Sequence, residues 1–515
     1  MQAAHDAAVG RISSVIRDFH ARKVPYRIYH GSTNSTRAST LSRDRMVDTS
    51  TLTHVLHVDT LTKTAIVEPN VPMDKLVEAT LPHGLIPPVV MEFPGITTGG
   101  GYSGTSAESS SFRHGFFDRN VNWVEMVLAN GEVVRASRED KIDLLHGAAS
   151  SFGTLGVVTL LELQLIPSKP YVEVTYHPVE DANEIVPRIE ALTNDPTNDF
   201  LDGIMFSKNT GVLVSGRLVD SPPEGTKIQS FTSPTDPWFY IHAERLLSRK
   251  KTTKTAPHMD IVPITSYLFR YDRGGFWVGR YAFSYFITPF NRITRWILDY
   301  FMHTRIMYHA LHKSGHSNIY VIQDVAVPYS GAVEFVNFLD RDFGIYPLWL
   351  CPLKMKGSRR DSPHGLLAEV SAKDSPEYLL NFGVWGPAPS TAKTTASFIN
   401  INRRLEQKVD SLGGKKWLYA QTYYTEDEFW TIYNKKEYDG LRHKYHATYL
   451  PSVYDKVKTD LIAEQERINA SWVAWVNAMV WAIWPLSGLY GVLAVLFGGD
   501  YLLPGGQTKA KSKKQ

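Results

Sequence analysis

The sequence predicts an α+β protein: two large mixed domains in tandem, followed by an apolar C-terminal segment. Three observations carry this prediction. The stretch Gly95–Ser111, in which five of seventeen residues are glycine and most others carry hydroxyls, lies between well-patterned segments rather than in a linker. Residues 122–135 read as a β-hairpin, with Asn130-Gly131 as its turn. Residues 170–460 mix strand and helix patterns across a length that suits a second domain in a 515-residue chain.

Each element can be justified in chain order. Val9, Ile12, Ile16 and Phe19 recur at spacings of three and four, one apolar stripe of an N-terminal helix. Residues 23–29 form a short strand, and a small polar loop, His30 to Arg37, opens at Gly31. Residues 54–68 read as two strands around a turn at 59–63. A helix covers Met73 to Leu81 and ends at Pro82 and Gly84. The glycine stretch follows. Its near-absence of side chains lets backbone N–H groups and hydroxyls approach a phosphate-rich ligand, and Glu108 is its only charge. In the hairpin, Asn-Gly predicts a type I′ turn. A second glycine-bearing stretch, Gly147 to Gly156, runs into an apolar strand from Val157 to Ile166. Three Gly/Ser/Thr loops within residues 1–169 suit a long ligand with several polar regions, such as a dinucleotide. No G-x-G-x-x-G opens a βαβ unit, which argues against a Rossmann domain.

Composition narrows the function classes. The net charge of +3 gives no case for nucleic acid as a partner. A single cysteine, Cys351, excludes internal disulfides and favours a reducing compartment. No Cys/His spacing suggests zinc. His309, His312 and His316 share a helical spacing but read as surface residues, and no metal is assigned. Residues 1–25 contain no continuous apolar run of the signal-peptide kind. Residues 267–308 crowd aromatics with arginines, which fits either a core helix with a solvated face or a surface against lipid headgroups. Residues 468–499 form the longest uncharged run, with four tryptophans. Pro485 and Gly488 divide it into arms too short to cross a bilayer singly, because a span needs roughly 20 apolar residues. A membrane-associated hairpin is the expectation, followed by a basic tail over 500–515 that places Lys511 and Lys513 at the spacing of a di-lysine retrieval signal.

The three loops in this order resemble the FAD-binding domain of the vanillyl-alcohol-oxidase (PCMH) type. Within that superfamily the chain resembles the Δ24-sterol reductase (24-dehydrocholesterol reductase, Diminuto) family. The resemblance rests on Thr98-Gly-Gly, Gly104-Thr, Glu108–Ser111, Leu128–Gly131, Gly153–Gly156 with Ile166-Pro, Val321–Asp324 with Val327-Pro, Tyr346–Pro352, Leu418–Ala420 and Glu428–Trp430. Together these cover residues from about 20 to 455, and the last groups are the more specific ones. The family usually has an N-terminal membrane anchor and a strand before the first helix. This sequence opens on the helix, and its apolar segment lies at the other end.

The resemblance implies a fold and a division of labour. A two-subdomain FAD-binding domain over residues 1–169 precedes an α+β substrate (cap) domain over 170–460 and the hydrophobic segment. By position, Gly31, Ser32, Thr33, Asn34, Ser35 and Thr36 would meet the pyrophosphate. Thr97, Thr98, Gly99, Gly100, Ser103 and Gly104, with Glu108, Ser109 and Ser110, would follow the flavin and ribityl region. Gly153, Thr154, Gly156 and Val157 would close the adenine side. Thr33 or Asn34 falls where related oxidases carry a covalent histidine, so the FAD is expected to be non-covalent.

The implied reaction is NADPH-driven reduction of a sterol side-chain double bond, in an oxidoreductase of the endoplasmic reticulum membrane facing the cytosol. Such an alkene is unpolarised. Its reduction therefore needs an acid to protonate C24 while a hydride goes to C25. Tyr423, Tyr424, Glu108 and His114 are the candidate acids, and Lys354 and Arg442 are candidates for the NADPH phosphate. Two alternatives stand beside this reading: an oxidase of the same fold acting on an alcohol, sugar or lactone, and a non-catalytic sterol-binding membrane protein. Lipid and sterol are the expected partners. The oligomeric state stays open.

Overall fold

The computed structural model describes residues 1–31, 43–250, 257–314, 320–355, 376–392, 394–461 and 483–498. The chain opens on a helix, Gln2–Arg22, which buries the stripe Val9, Ile12, Ile16 and Phe19. It ends at Lys23, whose left-handed backbone turns the chain toward β1 (Arg27–Tyr29). This strand pairs in parallel with β2 (Met46–Asp48).

A five-stranded antiparallel sheet follows, built from β3 (Val55–Asp59), β4 (Thr64–Val67), β6 (Val121–Leu128), β7 (Val133–Ser137) and β8 (Gly156–Gln164) in the order β3-β4-β8-β6-β7. The short β5 (Leu85–Ile86) and β9 (Ile166–Pro167) pair beside it. The hairpin between β6 and β7 forms where the sequence places it, but its turn differs from the type I′ expectation. Gly131 N–H bonds Leu128 O at 2.9 Å, Leu128 N–H bonds Glu132 O at 2.8 Å, and only Gly131 has a positive φ, +84°. The loop therefore has three residues, a type I turn closed by a left-handed glycine. A side chain on Gly131 would collide with Arg17 and the Ser13 carbonyl, so the hairpin tip is docked under the first helix.

The second sheet has eight antiparallel strands: β10 (Tyr171–Val179), β11 (Phe200–Ser207), β12 (Thr210–Val219), β13 (His258–Pro263), β14 (Tyr320–Pro328), β15 (Leu348–Lys354), β16 (Tyr378–Pro387) and β17 (Lys415–Lys416). Their order is β13-β10-β12-β11-β15-β16-β14-β17. The period of two gives its faces different jobs. Val321, Val325, Leu348, Leu350, Phe382 and Val384 point outward into a core shared with the helices Ala182–Asn194, Tyr329–Asp342 and Thr395–Ser411. Ile322, Ala326, Trp349, Cys351 and Trp385 point the other way, into the core shared with the first sheet's unit.

Residues 426–457 then return to the first unit. Tyr445 donates to Asp143 and Tyr449 to the Ala129 carbonyl, both at 2.7 Å.

The aromatic and arginine-rich stretch is part buried and part exposed. Tyr267, Arg270, Tyr271, Arg273, Phe276 and Trp277 are buried, whereas Ile287, Ile293, Trp296, Ile297 and Tyr300 are exposed. Beyond the helix Val278–Tyr285 exposed apolar residues alternate with buried ones such as Arg295, Asp299 and Met302. Of the expected apolar hairpin, the second arm is described, as the helix Leu486–Gly498. It lies on the helix Thr304–Lys313, with Gly491 against the Ala310 carbonyl. No helix among the described residues is long and apolar enough to cross a membrane. The first arm, the basic tail and His316 lie outside the described residues, as does the side chain of His312. His309 is buried, not at the surface as its polarity suggests.

Candidate functional site

The glycine stretch folds into a short helix, Thr98–Gly104, capped by the Thr97 hydroxyl, which accepts from Gly100 N–H at 3.2 Å. Its first glycines are consumed by packing. A Cβ on Gly99 would lie 2.7 Å from Pro69 Cβ, and one on Gly101 would lie 2.5 Å from Met91 Cε. Thr98 is also internal, its hydroxyl bonded to the Glu68 carbonyl at 2.8 Å. These contacts clamp the helix onto the first unit and leave Gly100 exposed and Ser103 half-buried.

Direct contacts bring the loops together. Ser150 N–H bonds the Ser103 carbonyl at 3.0 Å. Gly153, at φ +77°, lies against Ile28 of β1, three residues before the buried Gly31. Gly156 abuts the Val127 carbonyl, where a Cβ would sit 2.8 Å away, and Val157 is buried beyond it. The Thr154 hydroxyl donates to Ser151 O at 2.8 Å and accepts from Tyr438 at 2.7 Å. Ser106, Ser109, Ser110, Ser150 and Ser151 are buried hydroxyls on the same loops. Ser32, Thr33, Asn34, Ser35 and Thr36 lie outside the described residues.

The second sheet meets this cradle directly. Leu201 N–H of β11 bonds the Ser109 carbonyl at 2.7 Å, and the Trp417 indole N–H bonds the Thr105 carbonyl at 2.9 Å. Tyr419 lies against Gly104, 3.4 Å from where its Cβ would be.

Four carboxyl groups gather at this junction: Glu92, Glu108, Asp202 and Asp324, all buried. Asp202 has a matched cation. Arg270 donates to it at 2.6 Å, Tyr271 at 2.8 Å and the Trp349 indole at 3.2 Å. Burial pushes Glu108 up to about 7, opposed by Arg270. Burial pushes Asp324 up to about 7 as well, and pushes Glu92 well above the carboxylate range with help from the Glu108 and Asp324 charges. Desolvation penalises the charged form, so Glu92 is neutral at pH 7, and Glu108 and Asp324 hold their protons far more readily than exposed carboxyls. Rings enclose it: Phe93 packs on Phe276 and Tyr308, and Phe276 on Trp349 and Trp385, with centroids 4.5–5.7 Å apart.

The predicted acids are dispersed. Glu108 is in the cluster, its carboxylate accepting from Ser109 N–H. Tyr423 belongs to the core on the sheet's far face, its hydroxyl bonded to Gln421 at 3.0 Å and its N–H to Glu406 at 2.9 Å. Tyr424 packs on Phe429, with burial pushing its phenol up. Burial lowers His114 to about 4, so it is neutral, and it lies beside Arg113 and Asp199. Arg442 is occupied by the Ala447, Thr448 and Leu450 carbonyls.

Sequence reasoning passed over Glu92 and, as a site residue, Asp324. Both carried a signal, a lone acid inside an apolar run: Val-Val-Met-Glu92-Phe and Val-Ile-Gln-Asp324-Val-Ala-Val. A separate group joins His242, His258 and Asp260, where one carboxylate faces both imidazoles at 2.7 and 3.1 Å.

Comparison with known proteins agrees with this geometry. The sequence model described as an FAD binding domain matches residues 7–137, which hold Gly31 and the whole glycine stretch. The protein named Delta(24)-sterol reductase in Arabidopsis thaliana is 30% identical over 449 residues, covering 82% of this chain and 78% of that one. Its namesake in Homo sapiens is 29% identical over 419 residues, covering 79% and 76%. Cytokinin dehydrogenase 4 of Oryza sativa subsp. japonica is 30% identical over 157 residues, 30% of this chain and 29% of that one. A cradle of buried hydroxyls and tight glycines, walled by rings, fits the polar and flat halves of FAD.

Proposed function

We propose, taking as premise that this chain belongs to the Delta(24)-sterol reductase family, that it reduces the side-chain double bond of a sterol with electrons from NADPH. It is an FAD-dependent oxidoreductase acting on a CH–CH group. The observation that carries the proposal is the junction itself, where the glycine helix faces a sheet surface made of aromatic rings and readily protonated carboxyl groups. An isolated alkene offers no charge to grip. Rings and aliphatic side chains bind it by burial, and a neutral acid can protonate it where a carboxylate cannot.

FAD, when bound, supplies the hydride. We assign its contacts to Gly31 through Thr36, to Thr97 through Gly104 with Glu108, Ser109 and Ser110, and to Gly153, Thr154, Gly156 and Val157. Thr33 and Asn34 cannot bond covalently to the flavin, so it is held without a covalent link. Phe93, Phe276, Trp349 and Trp385 exclude water from the acids, which strengthens every polar interaction there.

Sterols live in membranes, and one face of the protein suits contact with lipid. Trp296 is 56% exposed, Ile297 63% and Phe497 84%. Ile293, Tyr300, Trp484, Leu489 and Leu493 add to this apolar surface. Trp and Tyr favour the headgroup level, and an apolar helix face favours the acyl boundary. We place the enzyme on the endoplasmic reticulum membrane with its catalytic units in the cytosol, held by this surface rather than by a described span.

The deciding experiment is anaerobic flavin absorbance of the purified full chain. NADPH should bleach the flavin, and a Δ24-sterol should then restore its colour. A flavin that NADPH leaves oxidised, together with oxygen consumption on an alcohol or sugar, overturns the reductase in favour of an oxidase. A colourless protein that binds sterol overturns both.

A further inference from the structure

We propose that Asp324 is the acid that protonates the sterol double bond, with Glu92 as its proton-sharing neighbour. The inference rests on the sterol reductase reading above and assigns a group that reading leaves open.

The argument begins with strand alternation. In β14, Gln323 and Asp324 point to opposite faces. Gln323 is consumed on the far side, donating to Asn402 at 2.8 Å and to the Gln421 carbonyl at 3.1 Å. Asp324 therefore faces the cofactor cradle. It is opposite Gly383 in β16, a glycine over which the Trp385 ring lies. Tyr419, which lies against Gly104 of the glycine helix, interacts with the Asp324 carboxyl, as do Asn381 and Trp385. Tyr419 and Tyr308 keep part of their surface accessible although they lie among buried groups. Among the described residues the Asp324 Oδ1 has no hydrogen-bond partner, a property it shares with Glu108 Oε1 and Asp202 Oδ1, so the facing of the side chain and not the free oxygen singles it out. That atom is oriented by neighbours yet left free for a reacting group.

Charge balance supports the protonated state independently. Four buried carboxyls, Glu92, Glu108, Asp202 and Asp324, share one guanidinium, Arg270, already paired with Asp202. The nearby Lys416 ammonium is matched by Glu406 at 3.2 Å. Ionising all four would leave a net buried charge of about three units, a large desolvation cost that favours the protonated form of the unpaired acids. The rivals are worse placed: Tyr423 is behind the sheet, His114 is neutral, and Glu108 accepts a backbone N–H beside Arg270.

The step balances. The π electrons of the alkene take the Asp324 proton, the O–H bond breaks and a C–H bond forms at C24. The electron-deficient C25 receives the hydride that the reduced cofactor supplies. The Asp324 carboxylate then takes the Glu92 proton, and Glu92 regains one from solvent, the source of the proton consumed in each turnover.

The test compares Asp324→Asn and Glu92→Gln with the parent chain, each purified with its flavin. Chemically reduced enzyme is mixed anaerobically with a Δ24-sterol, and the return of flavin colour is followed. Asp324→Asn should slow that return by about 10²–10⁴-fold, while flavin content and thermal stability stay near the parent's. Glu92→Gln should slow it less. A second readout needs no turnover: infrared spectra of the parent at neutral pH should contain a protonated-carboxyl stretch, shifted in D₂O, that Asp324→Asn removes. If the parent reoxidises with sterol and Asp324→Asn does so within tenfold of it, the assignment is overturned. A protonated-carboxyl band unchanged by Asp324→Asn also overturns it, even if that variant is inactive. If the parent itself fails with sterol, the functional reading falls instead.

Discussion

The Trp417 indole N–H donates to the carbonyl of Thr105 at 2.9 Å, joining two buried residues 312 positions apart. It pins the segment that carries Tyr419 to the end of the glycine helix and, with the Leu201 N–H on the Ser109 carbonyl, registers the two halves of the site. Trp417→Phe keeps most of the apolar volume and leaves the carbonyl unpaired. The expected cost is about 1–3 kcal/mol, read by chemical denaturation, with weaker flavin retention on dilution.

Glycines in the chain differ sharply in what they tolerate. Gly99→Ala would force its Cβ to within 2.7 Å of Pro69 Cβ and 3.0 Å of the Pro69 carbonyl oxygen. Neither neighbour can yield, so the variant should lose roughly 1–3 kcal/mol or more and most of its flavin. Gly10, inside the first helix, has nothing within 4 Å of its Cβ position. Gly10→Ala should raise stability by up to about 1 kcal/mol. Thermal midpoints and flavin absorbance of the two variants check both statements.

The first helix carries a pH-dependent clasp. His5 lies between Glu68 at 2.8 Å and Glu125 at 3.2 Å, and hydrogen bonds to Glu125 and then Glu68 raise it to about 9. Because the folded value exceeds the unfolded one of 6.5, its contribution is complete below pH 6.5 and disappears as pH rises through 9. It amounts to about 3 kcal/mol at most. The difference in melting temperature between the parent and His5→Gln, followed from pH 6 to 10, should shrink toward zero at the alkaline end.

Arg270 and Asp202 form a buried pair, and removing one partner strands the other. Arg270→Met should cost about 3–5 kcal/mol, and Asp202→Asn, which keeps acceptors for Tyr271 and Trp349, should cost less. Urea denaturation of both variants gives the comparison.

The proposed lipid surface can be separated from stability. Trp296→Gln with Ile297→Gln removes exposed apolar area and should leave folding within about 0.5 kcal/mol per site. Co-sedimentation with phosphatidylcholine vesicles should fall several-fold. Unchanged co-sedimentation would show that lipid contact lies elsewhere.

Some of this architecture is plain in the residues and some is not, for physical reasons. The stripe Val9, Ile12, Ile16 and Phe19 is a local pattern, and it predicts its helix and buried face correctly. The Asn130-Gly131 dipeptide predicts a reversal, but the turn type depends on where β6 and β7 stop pairing, which the dipeptide does not encode. Tyr423 and Tyr424 look equivalent as neighbours, yet one faces the far core and the other the near one. Only the register against Glu406 and Phe429 distinguishes them. Asp324 was visible as an acid in an apolar strand, but the meeting of Glu92, Glu108 and Asp324 is a tertiary fact, drawn from three distant segments. The split of residues 267–308 into buried and exposed positions is likewise decided by what the rest of the fold packs against them.

Tyr438 reaches back 284 residues to the Thr154 hydroxyl. On a ribosome adding about 5–20 residues per second, Thr154 therefore waits tens of seconds for its partner. The cofactor cradle is begun early in synthesis and finished near its end. A nascent chain stalled before residue 438 therefore lacks the hydroxyl that fixes Thr154, with most of both sheets already made.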